Sequence, residues 1–312
     1  MQILKDPPIL FFILGMLSVF FKTGLKVPYV MTKFLSLYLL MAIGFKGGLS
    51  LSKSGFSYEF LICLLGGVLL SILTPIIMFF ILKPKLPTYD AAAIGATYGS
   101  VSAVTFVAAT TWLENRDLEF SGFMIAILAL MEAPAIIVSL FLSNKFSEER
   151  SEVSLLSLAH EALFNGSVFL LIGSLFIGYF SGPYGKMSVG IFVLDLFKGF
   201  LGFFLLDLGI KSGTVIRRLQ MPLWLVPVGI VAPILSAALA LIWGKIFSVG
   251  QTQTFLLMTL AAGASYIAVP AALKHSLPKA NLGICLTMAL GVTFPFNILV
   301  GLSLYWYAVT NF

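Results

Sequence analysis

The sequence predicts an all-α polytopic membrane protein: ten transmembrane helices in two inverted five-helix repeats. Three observations carry this. Of 312 residues, 59% are hydrophobic and 10% charged, with a mean hydropathy of +1.04, too little polar surface to coat a soluble globule. About 20 apolar residues make one helical crossing, so the length holds ten crossings with short loops and no separate soluble domain. And three short motifs of the first half recur in order in the second.

Gly, Pro and charge punctuate the apolar runs. They place spans near residues 8–21, 32–52, 59–82, 90–113, 120–143, 159–180, 188–211, 221–243, 252–275 and 281–309. The first run, Ile9 to Phe21, has no strongly basic leader before it and no small-residue cleavage site after it, so it reads as a retained span. The fourth and ninth are interrupted at their middles, by Gly99-Ser100-Val101-Ser102-Ala103-Val104-Thr105 and by Gly263-Ala264-Ser265-Tyr266-Ile267-Ala268-Val269-Pro270. A membrane helix unwinds only where its freed N–H and C=O groups meet protein or line a cavity. In secondary carriers, paired interruptions at corresponding places mark the substrate and ion site.

An odd number of spans before the central linker, residues 144–158, inserts the second half upside down. Residues 1–143 and 159–312 are then the two repeats. Gly44-Phe45-Lys46-Gly47-Gly48 lines up with Gly209-Ile210-Lys211-Ser212-Gly213, Gly99-Ser100 with Gly263-Ala264, and Glu132-Ala133-Pro134 with Thr293-Phe294-Pro295. Basic residues concentrate in alternate loops, including Lys22, Lys83, Lys85, Lys145, Arg217 and Arg218. The positive-inside rule then puts the linker in the cytoplasm and both termini outside it. The net charge of +6 is scattered through these loops, which fits topology and gives no footprint for nucleic acid.

No nucleophile motif, phosphate loop or paired-carboxylate set has a recognisable spacing, so an enzyme is not expected. Cys63 and Cys285 lie in apolar runs and read as small core residues. His160 and His275 have no ligand-type neighbours, and no resident cofactor is expected.

Several polar residues fall at bilayer depth. Ser100, Ser102 and Thr105, with backbone groups freed at Gly99, offer hard oxygens suited to sodium; the same small residues also permit close helix packing. Glu132 stands in the apolar span Phe123 to Leu142 and must face protein, as a charge-coupling carboxylate or as a structural tie. Ser100, Ser102 and Glu132 form the candidate sodium set. Ser265 and Tyr266 face the site from the second break, with aromatic packing as the other reading of Tyr266. Thr293 and Asn297, flanking Pro295, supply oxygens from the last span or bond helix to helix. Asp195 with Lys198, and Asp207 with Lys211, have spacings that let each pair neutralise itself. Lys46 and Lys211 read as snorkelling to headgroups.

The stretch Gly99 to Phe106 with Trp112-Leu113-Glu114, the Glu132-Ala133-Pro134 element, and in the second half Pro270, Leu277-Pro278-Lys279-Ala280-Asn281 and Thr293-Phe294-Pro295, together resemble the SbtA-type sodium-dependent bicarbonate transporter family of bacterial inner membranes. The resemblance implies that broken helices 4 and 9 cross within a core domain of spans 3–5 and 8–10. It also implies a gate domain of spans 1–2 and 6–7, a homotrimer, elevator transport with sodium as coupling ion, and a PII-like regulator. One departure stands out. Where that family has a Ser-rich second break with an Asp before a Gly-Pro-Pro turn, this chain has Ser265-Tyr266-Ile267-Ala268-Val269-Pro270, with fewer polar groups for a small anion. Bicarbonate, another small carboxylate, and a non-transporting membrane sensor on the same fold are the functions open at this stage, with proton coupling as the rival to sodium.

Overall fold

The computed structural model describes residues 6–55, 57–147, 166–218 and 221–312. All regular structure among these residues is helical. The first half comprises α1 (Pro7–Phe20), α2 (Tyr29–Ser54), α3 (Tyr58–Leu82), α4 (Thr88–Gly99), α5 (Ala103–Glu114), α6 (Phe123–Leu130) and α7 (Glu132–Phe146). The second comprises α8 (Gly166–Gly190), α9 (Phe197–Arg217), α10 (Leu225–Ile246), α11 (Gln251–Ala261), α12 (Ala268–Ser276) and a long α13 running from Leu282 to Asn311. Among the described residues, seven helical runs are long and apolar enough to cross a membrane, while α1 is shorter.

Near residues 181–187, where a loop is predicted, two helical stretches meet at a sharp break at Gly182, whose φ of 50° and ψ of −137° are non-helical and suit a residue without Cβ, followed by Pro183. A π-helical turn, Ile191–Asp195, then leads into α9. The described part of the predicted span 159–180 begins at Gly166; His160 and the linker charges Glu148, Glu149, Arg150 and Glu152 lie outside the described residues.

Two helix pairs pack along their lengths, α2 on α8 and α1 on α9. Glycines allow the approach. A Cβ at Gly44 would meet the Leu171 carbonyl oxygen at 2.5 Å, and one at Gly48 would overlap that of Leu175. A Cβ at Gly209 would overlap the Phe12 carbonyl oxygen, and one at Gly213 would stand 3.1 Å from that of Met16. The two glycine motifs matched in the sequence therefore do the same job, each laying two glycines against carbonyls four residues apart on the partner helix. In bilayers, where water drives no helix association, such close backbone contact is a main source of cohesion.

The rest packs around the broken segments. α4 is enclosed by α3 and α7, and α11 by α10, α5 and α13. First-turn acids tie the halves together: Glu59 of α3 accepts from the Gly250 N–H at 2.8 Å, just before α11, and Asp90 of α4 accepts from the Asn281 N–H at 2.7 Å, just before α13.

At the far end of α5, Lys46 pairs with Glu114 at 2.7 Å and lies over the Phe197 ring rather than reaching headgroups, because the acid sits within range. Lys198 donates to Asn115 Oδ1 at 2.6 Å, and Asn115 donates to Asp6 at 3.3 Å. Among the described residues Lys198 makes that contact and forms no ion pair with Asp195, where the sequence predicts one. Burial pushes the Asp6 carboxyl up and the Arg116 guanidinium down, each moderated by charges of this cluster. Asp207 and Lys211 do pair, at 2.7 Å, and Thr32 adds a 2.9 Å hydrogen bond to the same carboxylate oxygen.

Candidate functional site

Both interrupted segments open where the sequence places the openings, and the openings touch. α4 ends at Gly99, Ser100 to Ser102 are extended or irregular, and α5 starts at Ala103. α11 ends at Ala261 and α12 starts at Ala268. The Ser265 N–H donates to the Thr97 carbonyl at 2.8 Å, and a Cβ at Gly263 would lie 2.6 Å from the Ser102 nitrogen. Gly263 is thus small because the other break passes against it.

Each break is closed by a serine. Ser102 Oγ accepts from the Thr105 N–H at 3.2 Å and from the Thr105 hydroxyl at 2.8 Å, an N-cap that satisfies one orphan donor of α5. The N–H groups of Ala103 and Val104 take no acceptor among the described residues. Ser265 Oγ accepts from the Val269 N–H at 3.3 Å in the first turn of α12. With both lone pairs of Ser102 engaged, its own O–H is what it has left to offer. Two helix N-termini, whose partial positive charge favours anions, therefore end side by side with hydroxyl donors.

They end on a cavity of about 70 Å³. Val101 to Val104 line it from the first break and Ser265 to Ala268 from the second, with Glu132 at the start of α7. Glu132 has no ion pair or hydrogen bond among the described residues. Pro134 lacks the N–H that would bond the Leu130 carbonyl, so α6 and α7 part at Met131 and a backbone oxygen is freed one turn from the carboxylate. The Tyr266 ring packs edge-on to Phe294 at 5.7 Å, and its buried hydroxyl lies toward Ser102 without a partner at hydrogen-bond distance. The facing wall comes from α2, α8 and α9.

A family model described as the Na+-dependent bicarbonate transporter superfamily matches residues 7–310. The chain belongs to that superfamily. A comparison with curated proteins gives no match. The match covers all of α1 to α12 and nearly all of α13, so both breaks and the cavity between them lie within it.

In this superfamily member the nine candidate residues divide into two groups. Ser102, Glu132, Ser265 and Tyr266 line the cavity together; Gly99, Ser100, Thr105, Thr293 and Asn297 do not. A Cβ at Gly99 would meet Pro75 Cδ at 2.5 Å and Ala135 at 3.1 Å, so that glycine lets α4 approach α3 and α7. Ser100 is 1% exposed and its hydroxyl is unpartnered, while Thr105 completes the Ser102 cap. Thr293 donates to the Gly229 carbonyl at 2.8 Å and receives the Tyr98 hydroxyl at 2.6 Å, linking α13 to α10 and α4. Asn297 donates to the Ala262 carbonyl at 2.7 Å and accepts from the Tyr305 hydroxyl at 2.7 Å. Each of these two residues belongs to a π-helical turn of α13, Ala289–Thr293 or Asn297–Gly301, and such turns commonly mark functional stretches of a helix.

The cavity wall from α2, α8 and α9 escaped the sequence reading. Leu39, Leu171 and Phe204 resemble any membrane-facing residue, and Ser36 and Ser167 sit in no motif. The braces Tyr98 and Tyr305 were equally silent, since their partners stand 195 and 8 residues away in the chain.

Proposed function

We propose that this protein is a sodium-coupled symporter of a small anion, working by elevator-type alternating access. The observation that carries the reading is the meeting of two capped helix N-termini on one cavity faced by an unpaired carboxylate, Glu132. The N-terminal N–H groups and the Ser102 and Ser265 hydroxyls are donors for the anion. Glu132 and the nearby freed carbonyl provide oxygens for sodium; Ser100, away from the cavity, is set aside. Each ion makes the other's burial tolerable. An anion entering alone would be repelled by Glu132 in a low-dielectric site, and sodium between the two turns that repulsion into attraction. Loaded and empty carriers then move and half-loaded ones do not, which is symport without chemical conversion of the solute.

The matched glycine contacts at Gly44 with Gly48 and at Gly209 with Gly213 support ten crossings in two inverted repeats. In this arrangement α1, α2, α8 and α9 form the gate, and α3 to α7 with α10 to α13 form the moving core. The charge bias supports termini outside the cytoplasm of a bacterial inner membrane. The family resemblance adds a homotrimer, and a PII-like regulator reading the linker 144–158.

The test is uptake into proteoliposomes. A sodium gradient, inward, accelerates uptake of labelled anion, and a proton gradient of the same size does not. Glu132→Gln abolishes the sodium response while the protein remains monodisperse in detergent. Unchanged sodium-driven uptake by that variant rejects the mechanism, acceleration by protons alone reassigns the coupling ion, and no uptake of any anion under either gradient favours the sensor reading.

A further inference from the structure

The walls of the cavity differ in chemistry. Donors gather on the side of the two breaks. Opposite them stand Leu39 and Leu40 of α2, Leu171 of α8 and Phe204 of α9, continued by Val107 and Leu128. The hydroxyls on the facing helices are Ser36 and Ser167, one turn from Leu40 and Leu171 respectively. A carbonate-type anion is polar over its whole surface, so an oxygen turned to the aliphatic wall would exchange water for hydrocarbon. A carboxylate with a tail satisfies both walls, its two oxygens on the donors and its carbons on the leucines. Ligand sites of this kind, apolar with a few convergent polar groups, are the common pattern. The buried, unpartnered hydroxyl of Tyr266 on the donor side is a further group awaiting an acceptor.

The cavity is small, about 70 Å³, so the tail is short. Taking the symport reading above as its basis, we propose that the site takes a short unsubstituted aliphatic monocarboxylate, in preference to bicarbonate. Tyr266 and Ile267 then bound the pocket where a more polar break would suit a smaller anion.

The experiment is calorimetric titration of the full chain in detergent, with sodium and with choline in its place, using acetate, propionate, butyrate, hexanoate, butyramide and bicarbonate. The sodium-dependent affinity rises roughly tenfold per added methylene from acetate to butyrate, falls again for hexanoate, and is absent for butyramide. Bicarbonate binds at least about tenfold more weakly than butyrate. Val168→Thr, which puts a hydroxyl on the cavity wall, flattens the acetate-to-butyrate gradient. Bicarbonate binding as tightly as butyrate, or affinity indifferent to tail length, overturns the proposal and leaves sodium-anion symport standing. Absence of sodium-dependent binding for every anion defeats the symport reading and this proposal with it.

Discussion

The two breaks use similar residues and are held in different ways. The first, between α4 and α5, is closed from within: Ser102 accepts two hydrogen bonds from Thr105, three residues on. The second, between α11 and α12, has one longer cap bond of its own, from the Val269 N–H to Ser265 at 3.3 Å. It is otherwise held from outside, by the Asn297 amide on the Ala262 carbonyl and by the Thr97 carbonyl on the Ser265 N–H. A self-capped break can keep its shape as neighbours change, whereas a braced one takes its shape from them. The second break is therefore where side chains such as Tyr266 and Ile267 can vary the pocket without undoing the fold.

That asymmetry has measurable consequences, the largest at the brace. Asn297→Leu strands the Ala262 carbonyl and the Tyr305 hydroxyl in a fully buried place. It is expected to cost about 2–4 kcal/mol and to abolish uptake, as read by thermal denaturation in detergent and by proteoliposome flux. A stable, active Asn297→Leu protein would mean that the second break holds itself.

Next comes the cap comparison. Ser102→Ala removes the acceptor of two bonds and is expected to destabilise by about 1 kcal/mol or somewhat more, with a roughly tenfold loss of anion affinity, about 1.4 kcal/mol at 25 °C. Ser265→Ala should destabilise less and weaken anion binding by a similar factor. Equal destabilisation in paired melts would erase the distinction between the breaks.

The smallest change expected is in the stability of Tyr266→Phe. Its hydroxyl lies toward Ser102 with no partner at hydrogen-bond distance among the described residues, so melting should shift by less than about 0.5 kcal/mol, while affinity for the anion falls several-fold in titration. An unchanged affinity would assign Tyr266 to packing against Phe294 alone.

What the sequence showed and what it hid follow from where the information lies. The breaks were readable because Gly, Ser, Thr and Pro inside apolar runs contradict the demand that a spanning helix satisfy its own backbone. The glycine motifs were readable because close helix approach needs the absence of a Cβ. Glu132 drew attention as a carboxylate amid apolar residues, and the structure sets it on the cavity. Other features depend on partners far off in the chain. The Lys46–Glu114 pair joins residues 68 positions apart, and Thr293 and Asn297 became braces only because Gly229, Tyr98, Ala262 and Tyr305 arrive beside them. The interruption predicted near residues 181–187 is there, compressed to a sharp break at Gly182 and Pro183. The aliphatic wall is invisible to hydropathy, since a leucine facing a cavity and one facing lipid score alike.

The central claim is that solute and sodium bind together where the two breaks meet. Its most direct measurement is alkylation of Ser167→Cys, on the cavity wall and outside the donor set, in a protein whose Cys63 and Cys285 are replaced by Ala. Sodium with butyrate or with bicarbonate, each at saturating concentration, should slow modification by a small permeant maleimide at least about tenfold against either ion alone, corresponding to about 1.4 kcal/mol of added occupancy. Equal rates with and without both pairs would place the solute elsewhere and contradict the account.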